Sequence, residues 1–493
     1  MHRLRRVALL LVAVVYCACA INPVTGERQV IFMSPERETE LGRQEAAKVA
    51  EQIGLVEMPG LTSYVSALGD RLARHSPRKD VEYHFAIADM VEPNAFALPG
   101  GWIYVSRGLL AITGSEAELA GVIGHEIGHV AARHSASRES RQIGVGLLTL
   151  LGAVAAGVAG GAGAAESVAQ LGQVAGAGLI ATYGRDQERQ ADQVGQEIAA
   201  RAGYDPGGIA DFLATLDRDS VLRAEGKRRQ GSFFDSHPVT DERVRDTTAR
   251  ARELVPANAV PIARDQAAFL ARLEGLLVGA DPSQGIFHGE VFLHPNFGFS
   301  LRFPAGWRTQ NGRTAVVAVA PNKDRAVTLE GGPAVSDPGD AARAFAQKAG
   351  VVLENGRRTK IGGLPAYRAV ASMQGQNGSQ RLHLTWIAHR KATFRITGIA
   401  GPRASDAELS ELARVGASFR PLSPAERNGI KERRLHIVGA LGGETLRELG
   451  ERTGNTWSVA ETAVANGLLE DARLAPGQRL KIVRASTYRP TSR

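Results

Sequence analysis

His125, Glu126 and His129 stand in the order His-Glu-x-x-His, a spacing that becomes chemistry only on a helix. Four helical residues turn through about 400°, so both imidazoles lie on one face and can reach one ion, with the glutamate beside that ion and not on it. A carboxylate so placed can take a proton from water that a divalent metal has acidified. Two histidines leave the ligand set incomplete, so a third donor must come from elsewhere in the chain. Glu188 suits that role. The stretch from Tyr183 to Asp192 opens a helix that ends at Gly203, with Pro206 beyond it, both good terminators. On that helix Glu188 and Asp192 share a face, so the first can ligate the ion while the second receives an imidazole N–H and fixes its tautomer. The bland alternatives are a solvated acidic face for that pair and structural roles for the histidines. His134 lies about 140° further round the helix than His129 and is read as structural.

The elements that must hold these groups can be read outward from them. Ser115 and Glu118 make a capping box, which predicts one helix from 116 to about 134. Residues 21–255 are otherwise mostly helical, with a strand region near Val81 to Val105. Residues 256–285 read as a helical linker. Alternating apolar residues such as Phe297, Phe299, Leu301 and Phe303 then open an α+β accessory domain over 286–421, whose last helix is capped by Ser405 and Glu408. A polar linker, 422–433, leads to a compact unit at 434–484 with strands at its ends and two helices between, and 485–493 is a tail.

A chain of 493 residues, 44% apolar and 22% charged, has material for several buried cores. Its net charge of +8 is spread thinly and no basic block carries interleaved aromatics, so no nucleic-acid partner is expected. Residues 1–20 read as an export signal: basic to Arg6, apolar over 7–18, then small residues. Both cysteines, Cys17 and Cys19, lie at its end, which rules out an internal disulfide or a thiolate zinc site in the processed chain. Ala18-Cys19 followed by Ala20-Ile21-Asn22-Pro23 resembles the cleavage box of bacterial lipoproteins, with Cys19 the acylated residue. Ordinary signal-peptide cleavage to a soluble periplasmic protein is the alternative.

Four stretches together carry a wider resemblance: Asn22-Pro23-Val24-Thr25-Gly26, Asn94 to Gly101, the His125 to His129 box, and Glu188 to Asp192. In order and spacing they resemble the periplasmic and membrane zinc metallopeptidases related to BepA, LoiP and HtpX. The resemblance implies a zincin-type fold, one Zn2+ held by His125, His129 and Glu188, and cleavage of misassembled envelope proteins. It also implies a resting state in which an additional histidine caps the metal, a role that maps onto His237 in Ser236-His237-Pro238; a histidine that merely precedes a helix is the alternative. Gly101, Trp102, Ile103 and Tyr104 are expected on an edge strand that pairs with extended substrate, unless that strand is buried in its sheet. Tyr183 and Arg185 are near enough to Glu188 to help stabilise an oxyanion. Residues 434–484 resemble a LysM module, which makes peptidoglycan a candidate partner beside outer-membrane assembly components. The expected fold is thus multidomain α+β: a mainly helical zincin-type peptidase domain with a small sheet, an α+β domain, and a LysM-like βααβ module.

Between the metal helices lies an apolar, Gly/Ala-rich insert, 142–184. A single membrane crossing there would put His125 and Glu188 on opposite sides of a bilayer, so zero crossings or two are required. A helical hairpin over the cleft or at the membrane surface, and simple burial, both remain open. Two functions follow: a metal-dependent endopeptidase with Glu126 as general base, or an envelope assembly factor in which cleavage is secondary.

Overall fold

The structure, a computed structural model, describes residues 19–31, 33–138, 183–224, 233, 237, 240–375 and 378–490. The expected leader up to residue 18 and nearly all of the expected 142–184 hairpin lie outside them. Among the described residues no helix is long and apolar enough to cross a membrane.

The molecule is multidomain, with helices and several sheets. Its largest core centres on the Glu116–Ala131 helix, whose sequence of small and aliphatic residues is buried on every side. A helix with little polar surface has to be covered on most of its faces. The Arg185–Arg201 helix packs along it, and Gly208–Ala224 and Pro59–Ala73 close the remaining sides. The contact with Arg185–Arg201 is backbone to backbone. A Cβ on Gly195 would lie 2.6 Å from the His125 nitrogen, and one on Gly124 would lie 2.9 Å from the Gly195 carbonyl oxygen. Only glycines allow this approach.

A three-stranded sheet flanks the helix, with Trp102–Ser106 in the middle, parallel to His84–Ala88 and antiparallel to Ala95–Leu98. This corrects the expectation for Gly101 to Tyr104. Trp102, Ile103 and Tyr104 are paired on both sides and Gly101 closes a 3-10 turn, so this segment is no edge strand; the buried Ala95–Leu98 strand has one strand neighbour among the described residues.

The helix N-terminus departs from the expected capping box in one detail. Ser115 Oγ accepts the Glu118 N–H, but the Glu118 carboxylate accepts from the Gly114 N–H and the Ser115 hydroxyl. At its other end the helix stops at Ala131, short of 134. Arg133 turns into the left-handed region at φ 57° because its guanidinium is drawn to Glu38 (2.9 Å) and to the Met33 carbonyl (3.0 Å). Such a conformation is uncommon outside glycine, and it swings His134 back towards His129.

Residues 256–285 are no free linker. Phe269, Leu270, Leu273 and Leu276 are buried in the main core, and the buried Glu116 carboxylate accepts the Ile262 and Ala263 N–H groups. The accessory region holds a seven-stranded antiparallel sheet, ordered by first residue 354, 364, 378, 392, 325, 315, 308, beside a four-stranded one. The Asp406–Ala417 helix, with the Ser405–Glu408 capping box, covers one face of the large sheet and Pro338–Ala349 the other.

The C-terminal unit is βααβ: antiparallel Lys431–Gly439 and Arg479–Thr487 with Leu446–Thr453 and Val459–Ala465 between them. It is joined to the main core. Gly275 and Val278 donate to the Leu435 and Arg433 carbonyls, and Leu435 donates to Leu276. Lys481, fully buried, donates to the Thr113 carbonyl at 2.6 Å, beside Glu118. Burial pushes the Lys481 ammonium down to about 7 against the pull of Glu118, so the folded chain releases this proton before the unfolded chain does. The desolvation penalty is therefore full below pH 7 and is relieved as pH rises towards 10.5, the ordinary lysine value. Thermal unfolding should show wild type gaining stability over Lys481→Met between pH 7 and 10, and equal slopes would refute the burial.

Candidate metal centre

Two helices, packed as close as glycine allows, deliver four side chains to one point. His125 and His129 rise from one face of Glu116–Ala131, Glu188 from the first turn of Arg185–Arg201, and His237 from beyond it. The four offer donor atoms that lie within 4.8 Å of one another, all buried. His125 Nε2 is 3.0 Å from His129 Nε2 and 3.2 Å from His237 Nδ1. Glu188 Oε2 is 3.6 Å from His125 Nε2, and its Oε1 is 3.4 Å from His129 Nε2. Donors about 2.0–2.1 Å from a shared ion in tetrahedral array stand roughly 3.3–3.4 Å apart, so the spacing fits a single small cation.

The outer partners decide which ring nitrogens face inward. His125 Nδ1 meets Asp192 Oδ1 at 2.8 Å, so the proton lies there and Nε2 is left as a lone-pair donor. Asp192 is itself held by Arg243, whose Nε and Nη2 donate to its two oxygens at 2.8 and 2.7 Å. His129 is oriented by a relay. His134 Nε2 donates to Gln190 Oε1 (2.8 Å), which leaves His134 Nδ1 to accept from His129 Nδ1 (2.8 Å) and turns His129 Nε2 to the centre. The Tyr183 ring stacks on His129 with centroids 3.8 Å apart, its hydroxyl 3.1 Å from Ser135 Oγ.

Electrostatics makes the same demand. Glu126, Glu188 and Asp192 are all buried, and Arg243 is the cation that bridges two of them, with Nη1 2.9 Å from Glu188 Oε2. Three carboxyl groups face one permanent cation, and Glu188 and Glu126 draw the His237 ring towards its charged form against its burial; a metal ion would supply that positive charge instead. Burial works against the charge on Glu188, but the His237 ring beside it, which donates from Nδ1, outweighs it and holds the carboxyl far below its usual range. Burial pushes Glu126 up and His129 down. Both Glu126 oxygens and His237 Nε2 are buried with no hydrogen-bond partner among the described residues. Buried polar atoms are seldom left so, and here they border the gap where a cation and a reacting group would lie.

The structure thus brings His125, Glu126, His129, Glu188, Asp192 and His237 together. It leaves Gly101 to Tyr104 in the sheet and Arg185 exposed at its helix start; for Cys19 it gives only the backbone, as part of the strand Cys19–Ile21 paired with Arg28–Val30. Arg243, Phe233 and the Gly124–Gly195 contact were not singled out in the sequence. Phe233 is fully buried, stacks on His237 at 4.4 Å and donates its N–H to the Pro93 carbonyl at 3.0 Å. The remaining contact of the metal helix is at its C-terminal end, where Arg78 donates to the Val130 carbonyl (3.2 Å) and to Glu38, a cation placed where the helix dipole favours one.

Comparison with known proteins bears on the same region. Residues 59–251 match the model of peptidase family M48. The chain is 32% identical over 263 residues to the beta-barrel assembly-enhancing protease of Yersinia pestis, covering 52% of each. It is 34% identical over 183 residues to metalloprotease LoiP of Escherichia coli, covering 37% of this chain and 66% of that one. To metalloprotease YcaL of the same organism it is 29% identical over 223 residues, covering 43% and 83%. The chain spans about half the length of the beta-barrel assembly-enhancing proteases it matches.

Asp192→Asn keeps the side-chain shape but weakens the hold on His125. The expected result is roughly 10–100-fold weaker metal affinity, measured by chelator competition, with the helical signal unchanged. Unaltered affinity would show that the Asp192 contact does not tune the site.

Proposed function

We propose that this chain, whose residues 59–251 belong to peptidase family M48, is a zinc-dependent endopeptidase of the bacterial envelope that acts on misassembled proteins there. The observation that carries the reading is the convergence of His125, His129 and Glu188 beside the unpartnered carboxylate of Glu126. His125, His129 and Glu188 would hold the zinc, a donor set of two imidazoles and a carboxylate that suits it. When bound, zinc supplies Lewis acidity that makes water a nucleophile near neutral pH and polarises a carbonyl.

The chain's own groups do the rest. Glu126, whose oxygens accept no hydrogen bond among the described residues, takes the water proton and returns it to the leaving amine. Asp192 and the His134–Gln190 relay keep both imidazoles in the ligating tautomer. Burial keeps bulk water out, which strengthens each of these interactions. An extended substrate would pair along the outer edge of Ala95–Leu98, which has no strand partner there among the described residues, in place of the strand first expected, and backbone pairing gives affinity with little sequence preference.

His237 stands where substrate would enter. Its Nδ1 is 3.0 and 3.2 Å from the Glu188 oxygens and its Nε2 is 3.5 Å from Glu126 Oε1. With Phe233 tied to Pro93 and stacked on His237, these two residues would hold the site closed at rest. The relatives named for beta-barrel assembly support substrates among outer-membrane assembly intermediates. An export signal ending in an acylated Cys19 would place the protein on the periplasmic side of a membrane, with soluble periplasmic processing as the alternative; peptidoglycan is the further partner proposed for the 434–484 unit. The closed site favours one second reading, an assembly factor in which cleavage is secondary.

Glu126→Gln should retain metal and lose peptidase activity by about 10²–10⁴-fold, scored on unfolded envelope protein. If the variant still supports envelope integrity in cells, the second reading stands. His237→Ala should raise basal cleavage with metal content unchanged, and a fall in activity would assign His237 to the reaction itself.

A further inference from the structure

The accessory domain carries a cluster of cations that its own acids do not neutralise. Several other arginines of this domain are matched, Arg325 by Glu408 and Glu411, Arg358 by Asp337, Arg395 by Glu330 and Arg343 by Asp340. Arg357, Arg368 and Arg381 form no ion pair among the described residues. All three lie on one face of the large sheet. Arg357 stands directly opposite Arg368, Arg381 is opposite Ser372, and His383 is opposite Val370, so alternation puts Arg357, Arg368, Arg381 and His383 on the same side. The Asp406–Ala417 helix borders that side, where Arg368 Nη2 donates to the Ala413 carbonyl at 3.2 Å.

Like charges directly opposite one another destabilise a sheet, and here the cost is compounded by partial burial. Burial and the neighbouring Arg357 push the Arg368 guanidinium down, and burial with Arg381 and Arg368 does the same to His383. His383 Nε2 is buried with no hydrogen-bond partner among the described residues. Glu354, which lies across from Val370 at the sheet edge, pairs with none of them. Three guanidinium groups and a ring nitrogen thus share one face, with His383 between the Arg357–Arg368 pair and Arg381, and no carboxylate pairs with them among the described residues.

We propose that this face is an anion site for a phosphate ester. Guanidinium forks bind phosphate oxygens bidentately, and a doubly charged group would relieve the Arg357–Arg368 opposition while giving His383 a partner. The sources of that chemistry are an anionic phospholipid headgroup or a free phosphate ester. The proposal stands apart from the peptidase reading, because none of these residues belongs to the metal centre.

Calorimetry on the full chain at low ionic strength, with inorganic phosphate as probe, should give saturable binding. Arg368→Gln/Arg381→Gln should weaken it at least tenfold, as should the exposed Arg381→Gln alone in direction, while Arg358→Gln on the opposite face leaves it unchanged. Sedimentation with phosphatidylglycerol–phosphatidylcholine vesicles separates the sources: binding lost in the double variant and absent with phosphatidylcholine alone assigns a headgroup, and phosphate binding without vesicle binding assigns a free ester. Absence of saturable phosphate binding up to about 10 mM, equal binding by Arg381→Gln and wild type, or tighter binding of polyglutamate than of phosphate would overturn it.

Discussion

Buried negative charge in search of a cation is the constraint around which this molecule is arranged. Glu126, Glu188 and Asp192 lie within a core that excludes water, and Arg243 offsets only part of their charge. Folding would not tolerate such a cluster unless something else repaid its desolvation. Three imidazoles turned with ring nitrogens towards one point state what that is. The second requirement, closeness, is met by backbone: the glycine contact between the two helices sets how near Glu188 can come to the histidines. Charge and distance are thus solved by different residues, one set polar and one set with no side chain at all.

Around the centre runs a hierarchy of restraint. Arg243 holds Asp192, which holds His125; Gln190 holds His134, which holds His129; Glu38 bends Arg133 and so aims His134. Each link is a hydrogen bond whose removal leaves a buried group unpaired, so errors in the outer shell propagate inward at a cost of about 1–3 kcal/mol apiece. The metal helix is fixed at both ends as well, by Glu118 with Lys481 at its start and Arg78 at its finish.

Much of the centre was legible in the sequence because its geometry is local. The four-residue step from His125 to His129 and from Glu188 to Asp192 reads directly as one helix face, and the terminator at Gly203 is a backbone signal, with φ 86° in the structure. What was not legible depends on long-range partners. Arg243 lies in an ordinary charged helix start and shows its role only when Asp192 lies opposite. The expected edge at Gly101 to Tyr104 failed because strand order is not written in any one strand: Trp102–Ser106 reads as apolar whether it is central or peripheral. Residues 256–285 looked like a linker because Phe269 and Leu273 declare burial but not against what. The break after Ala131 needed Glu38, 95 residues away.

The joining of the C-terminal unit to the peptidase core bears on how the chain becomes active. Leu435 is part of the main core, and Lys481 closes the start of the helix that bears both histidines. A polypeptide delivered N-terminus first would therefore hold its metal ligands in an unfinished setting until residues beyond 430 had emerged. The order of synthesis itself would then act as a safeguard, delaying a potentially destructive hydrolase until its whole framework is in place.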